Sequence, residues 1–321
     1  MRLGINALSL LAIPLNVHVL DTLAEEPLPL AELSRAVGHP PATTTRSHLR
    51  NLTELGIVSR ERETEFPGAV SYSITSSGRG MLSVVEVLRR WLSAAPDGPL
   101  LLGSTGAKSA IKALVDGWST GLMRVLAARP FALTELSRLL PQTSYPTLER
   151  RLTAMRRVGL LEAQRNGASR GTPYEITPWL RQGVAPLCAA AHWEQQFASQ
   201  QAEPVGKVDV EAIFLLSVPL LELPSSLTGS CRLAVEMRTG SDLQFAGVTA
   251  SFEAGRLLKC VTQLSSKSDA WATGSTLAWV RSISGHGQQQ LDVGGDVELA
   301  SSIIDGLHST IELHSSAPAE H

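Results

Sequence analysis

The 321-residue chain is short of cysteine, of aromatics and of long apolar runs, and each scarcity removes a class of protein. Its three cysteines, Cys188, Cys231 and Cys260, are an odd set without close spacing. A disulfide framework is therefore not expected, and a reducing cytoplasm is the natural compartment. No apolar run reaches the roughly 18 residues that a membrane span needs. Residues 7–15, behind Arg2, look like a short secretory signal. A comparable stretch at residues 110–128 stands where no signal can be, so the start reads as a helix of the fold. The eight histidines are scattered, with no metal-ligand spacing beside cysteines or carboxylates. Gly285-His286-Gly287 and Gly294-Gly295 lack the strand-loop-helix surroundings of a phosphate loop. No Ser/His/Asp grouping stands out. These absences argue against an enzyme and predict no cofactor, no metal and no membrane partner.

What is present is a duplication. Glu32-Leu33-Ser34-Arg35 returns as Glu135-Leu136-Ser137-Arg138, and Leu55-Gly56-Ile57-Val58 as Val158-Gly159-Leu160-Leu161. Tyr72-Ser73-Ile74-Thr75 returns as Tyr174-Glu175-Ile176-Thr177, and Trp91 answers to Trp193. A repeat of about 100 residues is a duplicated domain, longer than the roughly 20–50 residues of a solenoid unit. The expected domains are 1–95, 104–198 and 207–315. Charge is uneven among them: residues 104–200 carry 12 Lys and Arg against 6 Asp and Glu, net +6. Residues 1–103 carry 9 against 10, and residues 207–313 carry 7 against 12. The positive excess of the second copy favours a polyanion.

In the second copy, Leu114, Val115, Trp118, Leu122, Val125 and Leu126 fit one face of a helix across residues 110–128. Pro130 ends it. A short helix follows from Leu133 with Thr134 as a candidate N-cap, then a turn at Ser144 and a third helix with Pro146 at its first position. That helix turns Leu148, Leu152 and Met155 inward, and Thr147, Arg150, Arg151 and Ala154 outward. Gly159 stops it, and two strands with a polar tip at residues 164–171 complete a winged helix-turn-helix. The third helix fits the major groove of DNA, with Arg150 and Arg151 at phosphates or guanines. Arg165 and Arg170 on the wing tip reach for the backbone or the minor groove.

The first copy keeps the plan and changes the chemistry. Its third helix, residues 42–55, places Thr44, Ser47, His48 and Asn51 at the outward positions. Asn51 suits adenine, and the hydroxyls suit phosphates or bases. The wing Arg60-Glu61-Arg62-Glu63-Thr64-Glu65 carries three carboxylates that repel phosphates.

Both copies resemble HxlR-type winged-helix regulators, a bacterial group in the wider MarR-like class, and the second shows it best. The resemblance rests on Trp118, Leu126, Arg129-Pro130-Phe131, Thr134-Glu135-Leu136 and Leu139-Leu140-Pro141. It continues through Leu148, Arg151-Leu152, Gly159-Leu160-Leu161 and Tyr174-Glu175-Ile176-Thr177, and covers about 90 residues in each copy. It implies homodimers on two-fold symmetric DNA sites, so two copies in one chain imply an intrachain pseudo-dimer, monomeric as such or paired again as a homodimer. The cysteine common near the start of that domain is absent here, which leaves thiol sensing without a residue.

The third region alternates as strands do at residues 230–237, 245–252 and 257–264. Residues 269–283 read as a helix, and a Gly-Asp step at Gly295-Asp296 leads into a last helix over 297–313. Asp269-Ala270-Trp271, Ala272-Thr273-Gly274 and Gly295-Asp296 before Leu299 resemble the sterol-carrier-protein type two fold. That resemblance implies an antiparallel sheet covered by helices, with an apolar cavity for a hydrophobic small molecule. The residues expected around such a ligand are Phe245, Phe252, Trp271, Leu277 and Trp279, although the same side chains also suit a solid core.

The expected fold class is α+β: two tandem winged helix-turn-helix domains forming a pseudo-dimer, then a sheet-and-helix domain. The expected function is a cytoplasmic regulator that binds double-stranded DNA and senses a hydrophobic molecule. The alternatives are a ligand-sequestering protein with degenerate DNA-binding repeats, or a protein–protein adaptor.

Overall fold

The computed structural model describes residues 4–62, 70–164, 171–198, 206–239, 242–283 and 290–312. The chain is α+β and divides into two compact units. One holds residues 4–115 with 186–198, the other residues 116–185 with the described residues from 206 onward.

The first unit opens with α1 (Ile5–Leu11) and α2 (Pro14–Glu25). Pro14 begins α2 where its missing N–H is no loss, and the two helices meet at 86°. Together they have the composition of a membrane span, but Leu8, Leu11, Leu20 and Leu23 are all buried in the core. Among the described residues, no single helix is long and apolar enough to cross a membrane. β1 (Leu28–Pro29), α3 (Leu30–Ala36), α4 (Ala42–Glu54), β2 (Val58–Arg62), β3 (Val70–Ile74) and α5 (Ser76–Ser93) follow. The three strands form an antiparallel sheet in the order β1-β3-β2. Leu33, Leu49, Leu52, Ile57, Met81, Leu88 and Trp91 are among the buried side chains of this unit. α6 (Thr105–Ser119) starts in this unit and ends in the next.

The sequence expectation of one helix over residues 110–128 is corrected here. α6 stops at Ser119, Gly121 takes a left-handed φ of 76°, and α7 (Leu122–Leu126) starts afresh. Thr120 Oγ1 donates to Asp116 O at 2.6 Å, closing the last turn. Only a residue without Cβ accepts that φ cheaply.

β4 (Phe131–Ala132), α8 (Leu133–Leu139), α9 (Tyr145–Arg157), β5 (Leu161–Ala163), β6 (Pro173–Ile176) and α10 (Pro178–Gln182) then run in the same order as their counterparts in residues 28–93. Their sheet has the order β4-β6-β5. Glu135, not Thr134, caps α8: Ala132 N–H donates to its Oε2 at 2.9 Å. One bond pattern recurs in the two segments. Thr75 Oγ1 donates to Gly56 O (2.7 Å) and accepts from Gly78 N (3.1 Å). Thr177 Oγ1 donates to Gly159 O (2.9 Å) and accepts from Leu180 N (3.2 Å). Each threonine thus ties the end of one helix to the start of the next, satisfying an orphan N–H.

α11 (Val184–Phe197) contributes to the core of the first unit from residue 186 onward. Trp193 Nε1 donates to Ser77 O at 2.8 Å, and Ala7 N–H donates to Glu194 Oε1 at 2.9 Å. Burial pushes the Glu194 carboxyl above its ordinary 4.5, against the backbone N–H groups of Ala7, Asn6 and Gly4 that pull it down. A carboxyl raised on folding adds stability at low pH that is lost as pH climbs through its folded pKa. Glu194→Gln removes that loss. Its melting temperature relative to wild type is therefore expected to rise as pH climbs above 4.5. A difference flat in pH contradicts this role.

The C-terminal region comprises α12 (Lys207–Ser217), β7 (Gly229–Thr239), β8 (Asp242–Glu253), β9 (Arg256–Val261), β10 (Ala270–Ser275), α13 (Thr276–Ile283), β11 (Asp292–Gly295) and α14 (Val297–Glu312). Two expectations are corrected. Residues 269–283 are a strand followed by a helix, because Ala270, Ala272 and Gly274 alternate as buried small residues on β10. The sheet is mixed, in the order β11-β10-β7-β8-β9, with β10 parallel to β7 and the other pairs antiparallel. Cys231, Leu233, Val235, Ala246, Val248, Ala250 and Phe252 share its buried face.

Within the second unit an ion pair and a hydrogen bond join this region to residues 116–185. Arg124 Nη1 lies 3.1 Å from Asp209 Oδ1, with both side chains largely buried. Arg181 Nη1 donates to Leu215 O at 2.9 Å.

Candidate nucleic-acid interface

α4 buries Thr45, Leu49 and Leu52, one face of a helix at spacings of four and three. That phase leaves Thr44, Arg46, Ser47, Arg50 and Asn51 exposed. Thr44, Ser47 and Asn51 are the residues expected here; Arg46 and Arg50 are additional. Matching outward positions to the second copy hides these arginines, because their equivalents there are Glu149 and Thr153. Counting the helical phase of α4 by itself would have found them.

His48 departs from expectation. It is half-buried, and its Nδ1 is 2.9 Å from Asn16 Oδ1. An amide oxygen only accepts, so the ring nitrogen donates. Asn16, fully buried, donates in turn to Leu10 O at 2.9 Å. His48 therefore pins α4 to the α1–α2 corner instead of standing beside the other outward residues.

α9 repeats the phase with Leu148, Leu152 and Met155 buried. Glu149, Arg150, Thr153, Ala154, Arg156 and Arg157 are exposed, while Thr147 and Arg151 are half-buried. Ser144 Oγ donates to Thr147 Oγ1 at 2.9 Å. Gly56 and Gly159 end α4 and α9 with φ of 69° and 81°. On the first hairpin, Arg60, Glu61 and Arg62 are exposed on β2. Glu63 and Glu65, like Arg165 and Arg170 on the second tip, lie outside the described residues.

The five residues expected around a hydrophobic ligand are not gathered on one surface. Phe245 and Phe252, seven apart on β8, point to opposite faces of the sheet. Phe252 (2% exposed) and Trp279 (3%) are core side chains. Trp279 donates from Nε1 to Ala234 O at 2.8 Å and meets the Phe214 ring edge-on, centroids 5.0 Å apart. Phe245 (43%) and Leu277 (46%) are exposed. Trp271 is half-buried and occupies the space that Gly294, its cross-strand neighbour, leaves open. Among the described residues, no three His, Cys, Asp or Glu side chains come together as metal ligands would.

A helix pair leading into a two-stranded wing, with α4 offering a polar and cationic face, defines the N-terminal module as a winged helix-turn-helix. Residues 15–97 match the HxlR-like helix-turn-helix family. Over 85 residues the chain is 32% identical to an uncharacterized HTH-type transcriptional regulator of Halalkalibacterium halodurans, covering 26% of this chain and 75% of that protein. The chain belongs to the HxlR-like helix-turn-helix family, a family of transcriptional regulators. A crystal structure of a MarR-family transcriptional regulator from Enterococcus faecalis V583 is 27% identical, over 26% of this chain and 77% of its own, with a TM-score of 0.26.

Proposed function

We propose that the chain is a transcriptional regulator in which two winged-helix segments bind duplex DNA and the C-terminal region responds to a hydrophobic small molecule. The observation that carries the DNA-binding part is the exposed face of α4, with Arg46, Arg50 and Asn51 in a module of a regulator family. Arginines suit phosphates and guanines, and asparagine suits adenine. The second segment is the second reader. Its support is the shared element order, the shared strand order and the repeated threonine bonds. Trp193 and Glu194 near the end of that repeat bond to Ser77 and Ala7 in the first, which supports an intrachain pseudo-dimer.

The C-terminal response is supported by membership of one compact unit with residues 116–185, through Arg124–Asp209 and Arg181–Leu215. A ligand changes DNA affinity only through different binding to the two states. Of the five expected contacts, Trp271, Phe245 and Leu277 have side-chain surface to offer, whereas Phe252 and Trp279 fill the core. The test is enrichment of genomic DNA fragments by the full chain, with and without a library of hydrophobic metabolites. Selective enrichment that a metabolite alters is the expected result. Enrichment of nothing in either condition overturns the regulator reading, and enrichment that no metabolite changes removes the sensing part.

A further inference from the structure

We infer that the DNA site of this chain has no two-fold symmetry, because its two reading helices carry different side chains at matched positions. The inference rests on the DNA-binding reading above and deepens it. α4 and α9 are in the same phase, residue by residue: Thr45, Leu49 and Leu52 are buried in one, Leu148, Leu152 and Met155 in the other. Both end on a glycine of positive φ, Gly56 and Gly159. Every one of these pairs is separated by the same sequence interval, so the exposed positions compare like for like.

At those positions the chemistry differs four times in succession. Arg46 faces solvent where α9 has Glu149, and Ser47 where α9 has Arg150. Arg50 stands against Thr153, and Asn51 against Ala154, all exposed. Arginine reads guanine O6 and N7, asparagine reads adenine, glutamate accepts from the cytosine amino group, and a small apolar side chain meets the thymine methyl. The first pair reverses sign. A base step that welcomes Arg46 in one half therefore presents acceptors to Glu149 in the other, and repels it. A homodimer, with two identical helices, reads two identical half-sites. One chain with two unlike helices does not. The half read by α4 carries guanine and adenine, and the half read by α9 carries guanine with cytosine or thymine.

The experiment is selection of bound sequences from a random duplex library by the full chain, repeated with Arg46→Ala and with Arg150→Ala. The expected motif is bipartite and non-palindromic. Arg46→Ala erases base preference in one half and Arg150→Ala in the other, each weakening binding to the selected site by between about 5-fold and about 100-fold. Melting curves for both variants are expected to match the wild type, since both residues are exposed. A motif built only of identical half-sites overturns the inference while leaving DNA binding intact. A single half-site that Arg150→Ala leaves unchanged also overturns it. Selection of no duplex at all sinks the DNA-binding reading itself, and the asymmetry with it.

Discussion

Replacing Arg46 and Arg50 together by glutamate is expected to lower the affinity of the full chain for duplex DNA by at least about 100-fold. A good arginine contact to guanine contributes about 1–3 kcal/mol of discrimination. Contacts to phosphate add a salt-dependent part that vanishes with the positive charge. Reversing both charges removes two attractions and puts two carboxylates where phosphates approach. If both arginines meet phosphates, the slope of log affinity against log salt becomes shallower by about 2, near 0.9 for each lost contact. Both side chains are exposed on a helix whose buried face is elsewhere, so the fold should survive. Band-shift or anisotropy titration of the wild type and the double variant reads the effect. Equal affinity from a folded variant means that α4 does not touch DNA.

The second large effect concerns stability. Asp209→Ala is expected to cost about 3–5 kcal/mol, because it leaves the Arg124 guanidinium buried without its counter-charge. Asp209 Oδ2 also accepts from Gly206 N at 3.3 Å at the start of α12, so a cap is lost as well. Burial raises the Asp209 carboxyl above its ordinary value even though Arg124 pulls it down. The attraction thus fails to offset the desolvation of the carboxylate. Replacing both partners by apolar residues, Arg124→Met with Asp209→Leu, should consequently restore most of the lost stability. Chemical denaturation of the three proteins decides the matter. A cost below about 1 kcal/mol for Asp209→Ala contradicts the pair as a buried tie. Because the pair lies between residues 116–185 and α12, the same variants also test whether these two parts melt together.

Local periodicity made much of the fold legible. The inward triad of α9 and the Gly159 stop follow from spacing alone, as does the inward pair Leu49 and Leu52 of α4. The return of Tyr72-Ser73-Ile74-Thr75 as Tyr174-Glu175-Ile176-Thr177 aligns Thr75 with Thr177, whose matching bonds appear only in three dimensions. The less legible parts depend on partners far away in sequence. His48 turns inward because Asn16, 32 residues earlier, offers a fixed acceptor. Residues 270–275 form a strand because β7 and β11 flank them, although Ala270, Ala272 and Gly274 have no strand preference of their own. The break at Gly121 was visible as a glycine, but an unbroken apolar stripe masked it. In the C-terminal region the aromatic residues were easy to find and hard to assign. Pleat and burial separate Phe252 from Phe245, and no spacing rule reveals which faces helices cover.

The central claim, that this chain recognises duplex DNA through charged side chains of its winged-helix segments, is most directly tested by one titration. Full-length protein is titrated into a duplex selected from its own enrichment, over a series of salt concentrations. The account predicts affinity that falls steeply and linearly on logarithmic axes, and that exceeds affinity for a scrambled duplex at every salt. Affinity indifferent to salt, or equal for the two duplexes, would contradict it.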